Sequence, residues 1–416
     1  MIKYLINLGL VLCPFAVWQG MDTRVPKEIA ALGVALSIGL FALYNGSLKK
    51  FRNVWLLIFI GFCLFSICRS PDFKRQFLLS YIVGKNVTII GNRSIAGFWV
   101  FRSLLYFIVY LLMAISVASI DWTKKQVHTA LSIMAGCGLV TSLLVFLQKA
   151  NLDQFFYVVD KTINPDIHAL TQPAIGGALG QSTLVAAYLV TVIPIALYLR
   201  KYLWVAVMAV ALYFTESKVA ICTFAIVLPL QLLCFPKRIS KCIGILLVSI
   251  MIFGGSLFIE KTPDIKGYVI TNANGRFQAW GEIYQDFINN PVEGVQKHTI
   301  TGLGPGAFEW LHSIRKDSRW FQAHNEPLEI LYNFGFIGLA LLFMAVREMF
   351  KMIKAYWKFN HFTRDLIIGL TMSLVAVFLT GLGIFSLRIT PILFNTVLII
   401  GLLHNQNIVE GNYAKA

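Results

Sequence analysis

Four polar residues, His324-Asn325-Glu326-Pro327, run without a spacer into the apolar stretch LEILYNFGFIGLALLF at 328–343. Pro327 suits the first turn of a helix, where its missing N–H costs nothing. Glu326 and Glu329 favour the positive end of the helix dipole, and Asn325 is a suitable cap. A well-made helix start therefore accounts for Asn, Glu and Pro and leaves the histidine unexplained. At the lip of a bilayer, a neutral imidazole could take a proton from a hydroxyl arriving from water while a lipid-held partner waits alongside. That geometry suits a reaction between a membrane-anchored donor and an external acceptor.

Cations lie upstream of this cluster. The stretch NGRFQAWGEIYQDFINNP at 274–291 places Phe277, Trp280, Ile283, Tyr284 and Phe287 at helical spacing. Such an amphipathic helix lies along the membrane surface with its apolar face down. Arg276 falls in its first turn, where a cation is poorly placed for the dipole. Two readings fit it: a side chain kept for an anionic ligand, or an ordinary snorkelling arginine. Arg315 and Arg319 follow in SIRKDSRWFQAHN at 313–325. Between them, TGLGPGAF at 301–308 lacks the Lys-Ser/Thr of a phosphate-binding loop. It reads as a tight structural turn that returns the chain toward the membrane.

Two further polar positions interrupt apolar sequence. Glu216, Ser217 and Lys218 break the run between two predicted spans, where a short outer turn would cost little. Arg102 sits inside a span with no neutralising neighbour in sequence. Ionised groups at such depth are expensive and face a cavity or a partner.

The elements that must position these residues are transmembrane. The chain has 416 residues, 57% apolar and only 13% charged, with a mean hydropathy of +0.70. Soluble domains average about 25% charged residues. Runs such as VWLLIFIGFCLFSIC at 54–68 approach the roughly 20 residues that cross hydrocarbon. The sequence predicts an all-α polytopic membrane protein, a single integral membrane domain over 1–416 with about twelve spans. They lie near 4–19, 28–44, 54–69, 96–118, 127–148, 176–198, 202–215, 218–235, 242–259, 328–346, 366–386 and 390–404.

Charge orients them. With both termini inside, the inner segments carry about +13 and the outer ones about +4, as the excess of Lys and Arg in the cytoplasm requires. The basic stretch 69–94 is then outside, and its FLLSYIV is expected to lie in the interface. Two long external segments result, 149–175 and 260–327. The second holds seven Lys/Arg and eight acidic residues, is nearly neutral, and is expected to carry short amphipathic helices. The net charge of +16 is explained by topology and anionic lipid, and no concentrated basic-aromatic patch asks for nucleic acid. Seven cysteines in or beside spans describe no disulfide framework. The first apolar segment lacks a small-residue cleavage site and is followed by more spans, so it is read as a span and not a signal peptide.

HNEPLEILYNFGFIGLALL resembles the C-terminal signature of the O-antigen ligase and O-antigen polymerase family. The matching residues are His324, Asn325, Leu328, Gly335 and Gly338. The family pattern upstream is met by Arg276, Trp280, Pro291 and Gly302-Leu303-Gly304-Pro305-Gly306. Where members often have Thr-x-Ser-Arg, this chain has Thr215-Glu216-Ser217-Lys218, and a Gly-Asn-Pro-Asn-like opening appears as Gly180-Gln181-Ser182-Thr183 without its asparagines. The resemblance covers roughly residues 170–345.

The resemblance implies a glycosyltransferase of the bacterial inner membrane, acting at its outer face. It would move a glycan from an undecaprenyl-diphosphate carrier onto an acceptor hydroxyl. A lipid A-core sugar is the ligase acceptor, a growing lipid-linked glycan the polymerase acceptor, and a protein hydroxyl that of related O-oligosaccharyltransferases. His324 and Arg276 become the expected catalytic pair. Arg276, Lys218, Arg319 and Arg315 are the expected diphosphate-binding cations, since a diphosphate leaving group needs positive charge near its oxygens. Lysine offers only a point charge where arginine binds phosphate bidentately, so Lys218 keeps the charge but not the fork. Asn325, Glu326, Glu329, Trp280, Ser217 and Arg102 are supporting candidates. With no carboxylate nucleophile evident, one-step displacement with inversion is expected. No Asp-x-Asp cluster calls for a metal, and no cofactor is implied. A transporter for lipid or solute is the rival reading. Carriers commonly have symmetric halves, which this sequence lacks, and the external Arg and His have no carrier rationale.

Overall fold

A computed structural model describes residues 1–16, 24–44, 93–150, 181–235, 299–302, 325–356, 361–384 and 389–405, with isolated positions at 58, 61–62, 152, 179, 280–281, 387 and 408. Among the described residues every regular element is a helix. In chain order these are α1 (Ile2–Phe15), α2 (Arg24–Tyr44), α3 (Arg93–Ser119), α4 (Lys124–Lys149), α5 (Ser182–Tyr198), α6 (Tyr202–Phe214), α7 (Lys218–Cys234), α8 (Glu326–Tyr356), α9 (His361–Gly381) and α10 (Thr390–His404). Four contain windows long and apolar enough to cross a membrane: Pro26–Tyr44, Lys124–Lys149, Glu326–Lys351 and Arg364–Gly381. The other apolar segments, including the Ile108–Ser119 part of α3, are shorter, as in a multi-pass membrane protein. The predicted spans at 54–69 and 242–259 fall almost wholly outside the described residues.

The chain divides into two compact units. The first comprises Met1–Arg52, Val109–Gly254 and Ile353–Ala416. Its centre is α5, STLVAAYLVTVIPIALY, which has no charged residue and is buried from Leu184 through Tyr198. A helix that is hydrophobic all round has no solvent or polar face and belongs inside a bundle. Helices α4, α6, α7, α9 and α10 all pack on it. Pro194 removes one N–H from its hydrogen-bond ladder, and polar side chains of neighbouring helices bond carbonyls beside it. Gln231 Nε2 of α7 donates to the Pro194 carbonyl at 2.8 Å, and the Ser373 hydroxyl of α9 donates to the Thr191 carbonyl. These bonds tie α7 and α9 to the central helix, as interhelical hydrogen bonds do in membranes.

Small residues let the other helices close up. A methyl group at Gly138 would press on Met208 and Val192, and one at Gly401 on the Val117 side chain, the kind of close approach that holds membrane helices together. The start of α4 is a capping box: Thr123 accepts from the Gln126 N–H and the Gln126 side chain accepts from the Thr123 N–H. Lys27, buried at the start of α2, donates its Nζ to the Ala16 carbonyl at 3.1 Å, which closes the α1–α2 hairpin beyond a helix that ends at Phe15, short of the predicted residue 19.

The second unit comprises Asn53–Ile108 and Gly255–Met352. Its main described element is α8, which begins at Glu326 and runs past residue 346. The part of the predicted basic linker from 347 to 356 is therefore helical, with an exposed Lys351–Glu348 pair at 2.9 Å. Charged residues there continue a helix whose apolar part has already ended, so hydropathy alone stops it too early.

Candidate active site

The helix start read from the sequence is present. The Asn325 side-chain oxygen accepts the Leu328 N–H at 3.0 Å, and its carbonyl accepts the Glu329 N–H at 3.0 Å. One residue thus serves the Leu328 N–H, which a helix start leaves unpaired, with its side chain and accepts the first intrahelical bond with its carbonyl. Glu326 and Glu329 lie in the first turn, where negative charge is favoured. Asn325, Glu326 and Pro327 are half-buried, while Glu329 is only 3% exposed. Glu329, Tyr332 and Asn333 are all buried and recur at helical spacing, so the first turns of α8 present a polar face to the protein interior.

This helix is not continuous. Gly335 has φ 64° and ψ −167°, a backbone conformation essentially restricted to glycine. The N–H groups beyond it find carbonyls in another segment: Phe336 donates to Thr299 at 3.2 Å and Ile337 to Ile300 at 3.0 Å. Gly302, with φ 72°, lies against the same break, and a Cβ there would overlap the backbone of Asn333 and Phe334. The Gly-x-x-Gly of the tenth predicted span and the first glycine of the Gly-rich turn are therefore in contact. Sequence reading named both motifs but treated them separately. Each glycine has a sufficient local reading, a turn at 302 and a packing site at 335, so no local signal joins them.

In the first unit, the Thr215-Glu216-Ser217-Lys218 stretch is a tight turn between α6 and α7, as expected. Glu216 takes φ 56°, an uncommon conformation for a residue with a side chain and one that concentrates at functional sites. Thr215 Oγ1 donates to the Leu212 carbonyl at 2.6 Å and accepts the Ser217 N–H at 3.4 Å. These bonds bury Thr215 and Ser217 and turn Glu216 and Lys218 outward. Lys218 is the first residue of α7, so its charge stands at the positive end of the helix. Both features favour an anion, since helix N-termini and cations attract the same ligand. Of the Gly180-Gln181-Ser182-Thr183 opening, Gly180 lies outside the described residues, Gln181 is the exposed N-cap of α5, and Ser182 and Thr183 are half-buried.

His324, Arg276, Arg315 and Arg319 lie outside the described residues. Of the predicted surface helix at 274–291, Trp280 and Gly281 are described and are helical. Arg102 falls within α3, with its side chain outside the described positions. The 69–94 stretch is likewise outside them, apart from the start of α3 at Arg93. No cluster of metal-ligating side chains occurs among the described residues.

No curated protein matches the chain. A family model does: residues 203–343 match the O-antigen ligase family. The matched region runs from α6 through the Glu216 turn to the broken half of α8, and so takes in every motif from Thr215 to Gly338 that the resemblance had rested on. Over residues 203–343 the chain is thus similar to the O-antigen ligase family.

Proposed function

We propose that this protein transfers a glycan from an undecaprenyl-diphosphate carrier to an acceptor hydroxyl at the outer face of the bacterial inner membrane. The reaction is O-antigen ligase-like, with a lipid A-core sugar as acceptor. The observation that carries this reading is the O-antigen ligase match at 203–343, which encloses a capped helix start at Asn325 immediately after the one residue type in the cluster that ordinarily titrates near neutral pH.

In this reading about twelve spans form one integral membrane domain, with both termini cytoplasmic and 149–175 and 260–327 outside. His324 orients the acceptor hydroxyl and removes its proton as the oxygen attacks the anomeric carbon of the donor sugar. The bond from that carbon to the diphosphate breaks, and its electron pair leaves on the phosphate oxygen. Arg276 and Lys218, with Arg315 and Arg319 in support, stabilise that charge, which is where preorganised electrostatics contributes most. One displacement inverts the anomeric centre. Asn325 fixes the helix start that follows the histidine, and Glu326 and Glu329 orient the imidazole or serve the helix dipole. Trp280, Ser217 and Arg102 support the site from neighbouring segments.

Reconstitution of the full chain with lipid-diphosphate-linked glycan tests the reading. Transfer to lipid A-core with release of the lipid diphosphate is expected. Transfer only to a second lipid-linked glycan would make the enzyme a polymerase, and transfer only to a protein hydroxyl an O-oligosaccharyltransferase. Movement of the donor across the bilayer without cleavage would replace the transferase with a carrier.

A further inference from the structure

We infer that the backbone crossing of Gly302 with Gly335 is a positioning device for the transfer reaction, fixing the short half-helix Glu326–Phe334 and, through it, the Asn325 cap at its start. This inference rests on the glycan-transfer reading above.

The crossing is specific. A continuous helix would satisfy its own ladder, yet this one stops at Gly335 and hands the N–H groups of Phe336 and Ile337 to the carbonyls of Thr299 and Ile300. Membrane-depth breaks persist only where other groups take over the freed hydrogen bonds. The two glycines exclude side chains reciprocally. A Cβ at Gly302 meets the backbone of Asn333 and Phe334, and a Cβ at Gly335 meets the backbone of Ile300 and Gly302. Backbone cannot swing aside as a flexible side chain does, so one contact requires both glycines. Each also holds positive φ, at 72° and 64°.

The segment between the crossing and the cap is about two and a half turns long. It is held at one end by Asn325, at the other by the crossing, and along its length by the buried side chains of Glu329, Tyr332 and Asn333. A rotation at the break therefore moves the helix start as a body. A displacement of about 1 Å at a reacting centre costs on the order of 10²-fold in rate. Gly302 and Gly335 touch no substrate in this account; they act through the helix they orient.

The experiment pairs amide hydrogen exchange with single-turnover transfer, using the full chain in nanodiscs and lipid-diphosphate-linked glycan. Gly302→Ala and Gly335→Ala should accelerate exchange at Phe336 and Ile337. They should lower the rate at saturating donor by on the order of 10²-fold, with donor affinity nearly unchanged. Gly33→Ala is the control, because nothing lies within 4 Å of a Cβ placed there, and it should match wild type in both readouts. If either alanine variant fails to fold, replacing Phe336 by its α-hydroxy acid deletes one N–H donor and leaves all side chains in place. That ester variant should show a smaller fall of the same kind. Accelerated exchange with a wild-type transfer rate, or a loss confined to donor affinity, overturns the positioning role. Unprotected Phe336 and Ile337 amides in the wild type overturn the crossing itself. Protected amides in a wild type that transfers nothing overturn the glycan-transfer reading, and the positioning role falls with it.

Discussion

The Asn325 side-chain oxygen accepts the Leu328 backbone N–H at 3.0 Å, one residue beyond the candidate base. Losing such a cap typically costs about 1 kcal/mol. Asn325→Ala should fray the first turn of α8 and lower transfer, whereas Asn325→Asp and Asn325→Ser should restore much of both. Exchange rates at Leu328 and Glu329, beside turnover, check this. An Asp variant that caps the helix but stays inactive would give the Asn325 amide a direct role with substrate.

His324 is expected to matter most to chemistry. General-base catalysis contributes about 10²–10⁴-fold, so His324→Ala should reduce single-turnover transfer by that order while donor binding persists. The protein should remain folded, because the helix cap belongs to the next residue. Near-normal turnover would return the cluster to a plain helix start and send the search for a base elsewhere.

Arg276→Ala should lower turnover far more than it lowers protein abundance in the membrane. Lys218→Ala should do the same to a smaller degree, since a point charge binds phosphate less specifically than a guanidinium fork. Lys218→Arg should keep activity. The contrast to measure is turnover against release of lipid diphosphate across the three variants. Equal and wild-type turnover in all of them would leave the leaving group without its proposed cations.

Topology is open to a direct test. A cysteine introduced at Ser313 should react with an impermeant thiol reagent in intact cells, and one placed within 355–360 should not. Reversed labelling would put the 260–327 segment in the cytoplasm and remove the proposed site from the outer face.

Gln231 is expected to be a stability residue. Replacing it with Leu removes the 2.8 Å bond to the Pro194 carbonyl. Interhelical hydrogen bonds in membranes average about 0.6 kcal/mol and reach about 1.7, so a modest fall in resistance to denaturation is expected, with turnover per folded molecule unchanged. A large loss of turnover in well-folded protein would mean that the α5–α7 contact reaches the chemistry.

Much of this architecture was legible in the sequence because hydropathy speaks directly about lipid. The apolar run at 176–198 announced an apolar helix, and Asn325 to Glu329 announced a capped helix start. Boundaries were less legible where charge and helix continue together, as at 347–356. The break at Gly335 was hidden for a different reason. A glycine inside an apolar run reads equally as a packing site and as a hinge, and only the Thr299–Gly302 segment, distant in sequence, decides between them. The left-handed turn at Glu216 was hidden likewise, since no local signal asks a glutamate to adopt it.

The encasement of α5 bears on how the chain is made. When Ser182–Tyr198 leaves the ribosome, α4 is already available and α6 and α7 soon follow, but α9 and α10, which also cover it, are synthesised only after α8. Until then this helix lacks the contacts of those two helices, among them the Ser373 hydroxyl on the Thr191 carbonyl. The first unit therefore cannot reach its final packing during insertion. Its completion is a late step within the bilayer, and a chain cut short after α8 would insert normally yet carry an open flank on its central helix.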